Sequence, residues 1–90
     1  MAEFLVELYV ARADGGSIVE CEEHARAAAD ALSRSGLSVR CVSSIFVPDD
    51  ETCFLLYEAE TAAAVQQAAT HAGLAVDRVS LVHSTGAVKD

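Results

Sequence analysis

Two stretches of this chain, SGLSVRCVSSI (residues 35–45) and AGLAVDRVSLV (residues 72–82), share the pattern Gly-Leu-x-Val-x-x-Val-Ser at a spacing of 37 residues. In each, the glycine stands where a helix stops in a left-handed cap, and the β-branched run after it reads as a strand. Between the copies lies a hairpin, VRCVSSIFV then PDDE then TCFLLYEA, folded by a proline-led polar turn. A strand and a helix before it, with a helix and a strand after it, give β-α-β twice. That is the split arrangement of an α+β, ferredoxin-like βαββαβ fold. Right-handed crossovers then order the antiparallel strands 4-1-3-2, with both helices on one face.

In chain order, residues 4–10 (FLVELYV) form the first strand, with Phe4, Val6 and Leu8 on one face and Leu5, Glu7 and Tyr9 on the other. Ser17 and Glu20 have the spacing of a capping box for the first helix. Ile18, Cys21, Ala25, Ala28 and Leu32 form its apolar stripe, and Gly36 ends it. Thr61 caps the second helix, whose small alanines let it sit close to a sheet, and Gly73 ends it. The last strand runs over residues 77–83. Residues 1–83 make one domain, and residues 84–90 a polar tail.

Bulk properties narrow the function. Ninety residues that are 52% hydrophobic give a small folded domain, one that buries only roughly 60% of its unfolded surface. A net charge of −8, from 14 acids against 6 bases, repels phosphate backbones and anionic lipid, so neither nucleic acid nor a membrane is an expected partner. No apolar run approaches the ~20 residues of a membrane helix. The first residues lack a basic leader and a cleavage site, so the cytoplasm is the expected compartment. Three cysteines without paired spacing are not a disulfide framework; Cys41 and Cys53 are expected to face the helices. The loop after the first strand lacks a glycine-rich phosphate pattern, so no nucleotide cofactor is implied.

Two helices leave one face of such a sheet bare. The parity that turns Glu7 and Arg40 away from the helices gathers Leu5, Tyr9, Val42, Ser44, Phe46, Arg78, Ser80 and Val82 there. Phe54, Leu56 and Glu58 join them if the hairpin loop has an odd number of residues. An apolar patch of this kind marks a partner or a ligand, and two copies face to face would hide it. The expected assembly is a homodimer, a dimeric α/β barrel with room for a small-molecule ligand. Arg78, Glu7, Glu58 and Arg40, from successive strands, are expected to form a row of alternating charge. Such a row is either an ion network beneath an interface or a pair of carboxylates placed for proton transfer. With Tyr9, and with His83 as general base at the end of the last strand, Glu7 and Glu58 make up the acid–base candidates. On the first helix, Glu20 and Cys21 lie one turn from His24, a corner that a divalent metal could use.

Over residues 4–82 the chain resembles a family of small ferredoxin-like bacterial proteins of unknown function. The resemblance is carried by FLVE, by the acidic turn before Cys-Phe, by the strand closing in Glu-Ala, and by Ala-Gly before the last strand. One branch of that family is similar to dimeric nickel-binding actinobacterial proteins, with histidines on the first strand, on the first helix and on both sides of the glycine after the second helix. Here residues 3–12 contain no histidine, Ala69 lies four before Gly73 and Leu74 follows it, so only His24 stands in for one of those ligands. The resemblance thus implies a homodimeric small-ligand-binding protein, with nickel or another divalent metal at His24 and Glu20. The fold is also similar to that of cofactor-free monooxygenases and polyketide cyclases, which keeps an enzyme using Glu7, Tyr9, Glu58 and His83 as the alternative. A pure interaction module is the third.

Overall fold

The alternation in the first residues puts Phe4, Val6 and Leu8 into the core and leaves their neighbours outside, which is what β1 (Ala2–Tyr9) does in this computed structural model describing residues 1–83. A 3-10 turn (Arg12–Ser17) leads into α1 (Ile18–Arg34), followed by β2 (Val39–Val47). A short turn (Pro48–Asp50) joins β2 to β3 (Thr52–Ala59), and α2 (Ala62–His71) and β4 (Val76–Val82) complete the chain. The strands lie in the order β2-β3-β1-β4, every neighbour antiparallel. This is the 4-1-3-2 sheet, and the fold is the ferredoxin-like α+β fold read from the sequence. The polar tail, residues 84–90, lies outside the described residues.

The core lies between sheet and helices. Val6, Leu55, Tyr57 and Cys53 from the strands meet Ala25, Ala29, Val65 and Ala68 from the helices. Burying each large side chain contributes roughly 1.5–3 kcal/mol. The alanines of α2 let its backbone approach the sheet, with Ala64, Ala68 and Ala69 buried beside Val65. Both helices stop in the same way. Gly36 (φ +107°) donates to Ser33 O while Leu37 donates to Leu32 O, and Gly73 (φ +77°) donates to Thr70 O while Leu74 donates to Ala69 O. Each is a Schellman motif, which favours glycine because the left-handed conformation crowds a Cβ.

Thr61 caps α2 as expected, its Oγ1 accepting from Ala64 N at 3.1 Å. The capping box at Ser17 and Glu20 does not form. The 3-10 turn runs straight on into α1, leaving Ser17 in helical conformation, and its hydroxyl donates instead to Asp14 O at 2.7 Å. The acidic turn is also more than exposed surface. Glu51, at φ +48°, accepts from Arg12 N through its carboxylate at 2.8 Å and from Val10 N through its carbonyl at 3.0 Å. It thereby ties the exit of β1 to the tip of the hairpin.

The hairpin differs from the sequence reading in one respect with large consequences. Its loop holds four residues, Pro48 to Glu51, between paired Val47 and Thr52, an even number. A bulge between Cys41 and Ser43 supplies the missing residue. Arg40 therefore points away from the helices opposite Glu58, as expected. Beyond the bulge the parity inverts: Ser44 and Phe46 pair with the buried Leu55 and Cys53 and turn toward the helices. Ser43 and Ile45 take their places on the open face. Phe46 packs on the core, its ring 3.1 Å from where a Cβ on Gly15 would stand.

Candidate functional site

Among the described residues nothing covers the face of the sheet away from the helices, and the molecule is a slab of 36 × 35 × 18 Å. Its side chains stand in transverse rows fixed by the register. One row runs Val82, Glu3, Glu58, Arg40; the next Ser80, Leu5, Leu56, Ser43; the third Arg78, Glu7, Phe54, Ile45. Leu5, Leu56 and Phe54 are half-buried at the centre, while Ile45 is 59% exposed at one side and Tyr9 63% exposed at the end of β1. The middle of the face is apolar and the charges flank it.

The expected row of Arg78, Glu7, Glu58 and Arg40 does not form. Glu58 lies opposite Glu3, and Glu7 lies opposite Phe54. The two rows lie four positions apart along β3, about 13 Å at the rise of a strand. The charges thus split between the two ends of the face. At one end Arg40 Nη2 reaches Glu58 Oε1 at 2.5 Å, which offsets the repulsion between Glu58 and the directly opposed Glu3. At the other, Glu7 and Arg78 are cross-strand neighbours.

The acid–base candidates divide the same way. His83 shares a shallow groove with Glu58, Glu3, Leu81 and Met1. Tyr9 lines a different groove with Cys21, Asp14, Ser17 and Leu74. Glu3 is absent from the sequence reading because the first strand was begun at Phe4. Its parity with Leu5 and Glu7 was the available signal.

On the helical side, Glu20 and His24 are exposed one turn apart on α1. Cys21 opens into the groove of Tyr9 rather than toward His24. His24 instead lines the interhelical groove, as do His71, Ala27, Ala28 and Ala72. Among the described residues, no group of three His, Cys, Asp or Glu side chains converges to hold a metal. Cys41 and Cys53 face the helices as expected, and burial pushes both thiols up to about 11. Tyr57 is fully buried, its hydroxyl has no partner among the described residues, and burial raises its pKa well above the usual phenol value.

The sequence reading also missed a polar cluster beside the bulge. Glu22, half-buried on α1, accepts from the Ser44 hydroxyl and from Arg26 Nε at 2.9 Å. Those two hydrogen bonds, Ser44 first, hold its carboxyl below the usual 4.5. Arg26 donates onward to Val42 O at 2.8 Å and Cys41 O at 3.5 Å. The spacing of Glu22 and Arg26, four apart on a helix, was the visible sign.

A family model described as nickel responsive protein SCO4226-like matches residues 6–82. The crystal structure of SCO4226 from Streptomyces coelicolor A3(2) is similar at a TM-score of 0.74 and 19% identity, covering 94% of this chain and 100% of that one. At that identity the likeness shows the fold. A search of curated proteins found no match.

Proposed function

Because this chain belongs to the nickel responsive SCO4226-like family, we propose that it is a homodimeric binding protein whose two open sheet faces pack together around a small ligand. The observation that supports this reading is the uncovered apolar centre, Leu5, Leu56 and Phe54, flanked by charges of both signs. An apolar patch rimmed by Glu and Arg suits burial against its own copy, because a two-fold axis can set the acids of one face against the bases of the other. The test is self-association. Wild type should sediment as a dimer at micromolar concentration, and Leu56→Glu should sediment as a folded monomer. A wild-type monomer at that concentration overturns the reading.

Metal binding is the second reading, favoured by the groove that His24 and His71 share. The residues do not fit the multi-histidine nickel centre that the resemblance to the nickel-binding branch implies, since β1 has no histidine and no third donor converges among the described residues. What the chain offers a borderline divalent cation is two imidazoles with water filling the remaining positions. Calorimetry with nickel and zinc should therefore show weak binding that His71→Ala abolishes. Tight stoichiometric nickel binding that survives this substitution would contradict it. No proton-transfer step is assigned, because Glu7 and Tyr9 lie at the opposite end of the sheet from Glu58 and His83.

A further inference from the structure

The turn of the hairpin and the far end of β2 demand different registers. Continuing the pairing of Val47 with Thr52 and Ser44 with Leu55 straight along the strands would set Arg40 opposite Ala59, which is fully buried under the helices. The bulge at Val42 moves Arg40 one place, opposite Glu58 on the open face. A bulge leaves backbone groups without ladder partners, and here α1 supplies them. Arg26 donates to the carbonyls of Val42 and Cys41, the residues at which the ladder breaks. Glu22 holds Arg26 in place and takes the hydroxyl of Ser44, the second residue past the bulge. Charge-assisted bonds from a planar guanidinium fix direction as well as distance.

We infer that Glu22 and Arg26 are positioning residues for the open face: by clamping the bulge at Val42 they set which side chains of β2 that face presents. The clamp delivers Arg40 beside Glu58, on the face where the turn already sets Ile45 beside Phe54. The inference rests on the reading of the open face as the self-association surface, and it names the residues that shape it without touching it. Among the described residues β2 is an edge strand with no neighbour on its outer side, so only the ladder to β3 and the contacts from α1 hold its register.

The experiment compares Arg26→Ala and Arg26→Lys with wild type by sedimentation, thermal melting and cross-strand proton contacts in NMR. Arg26→Ala should weaken self-association at least tenfold while melting close to wild type. It should also lose the wild-type contacts between Arg40 and Glu58 while keeping those between Ser43 and Leu56, which belong to the register set by the turn. Arg26→Lys, which keeps the charge but loses the fork, should fall between the two. Unchanged contacts across the bulge in Arg26→Ala overturn the inference whatever the oligomeric state. If wild type proves monomeric, the interface reading falls separately, and the NMR contacts still decide whether the clamp sets the register.

Discussion

The chain is built as β-α-β twice, and the two halves use the same helix stop for different ends. In the first half, α1 runs 17 residues and carries a charged pair that reaches over and fastens the strand it feeds. In the second, α2 runs 10 residues, and none of its buried residues is larger than Val65. Among the described residues no side chain of α2 bonds to β4. The second half is held by close packing of small residues, the first by packing plus a directional polar clamp. The repeat supplies the frame, and the departure from it supplies the shape of the open face.

The largest way to disturb this comparison is to remove what both halves share. Leu55 is fully buried between the two helices' contributions to the core. Leu55→Ala should cost about 2–5 kcal/mol in chemical denaturation. The loss should appear in one cooperative transition, and two separate transitions would show that the halves are independent units.

A smaller effect tests their equivalence. Gly36→Ala and Gly73→Ala each place a Cβ in open space but at positive φ. Each should therefore cost about 1–2 kcal/mol through backbone conformation alone. Similar costs confirm that the two caps are the same device; a much larger cost at one would break the symmetry. Tyr57→Phe should be neutral or stabilising by about 1 kcal/mol, because it removes a buried hydroxyl that has no partner among the described residues.

The smallest effect is confined to the first half. The folded pKa of Glu22 is depressed, so the stability it contributes is present above the ordinary value of 4.5 and is lost as pH falls through the lower folded value. Glu22→Gln should flatten the acid side of the stability curve, measured by urea titration between pH 3 and 6. An unchanged slope would mean that the carboxylate gains nothing from Ser44 and Arg26.

How much of this was legible in the sequence follows from where each feature gets its cause. Strand order, helix positions and both glycine stops come from local pattern and chirality, and they read directly from the repeat. The faces of β1 and β4 followed from alternation, sharply in β1, where one face is buried, and more weakly in β4, where no residue is fully buried. The face of β3 was tied to an odd loop, and a bulge met that condition in its place. Half of β2 did not follow, since its bulge is held by a guanidinium 16 residues away on another element. The parity was right for Arg40 only because an even loop and a bulge together do the work of an odd loop. The charge row failed for a related reason: alternation tells which face a residue occupies, not which row. Glu7 and Glu58 share a face, yet register sets Glu58 opposite Glu3. Ser17 misled because capping-box spacing does not reveal that a 3-10 turn already precedes the helix.

The most direct test of the account is the solvent exposure of the open face in solution. A soluble gadolinium probe broadens methyl signals that meet water and spares those that do not. At micromolar concentration the methyls of Leu5, Leu56 and Val82 should be protected. That protection should be lost in Leu56→Glu, read at Leu5 and Val82, while the exposed Val19 is broadened in both proteins. Equal broadening of Leu5, Val82 and Val19 in the wild type would contradict the central claim that this face is where the protein meets its own copy.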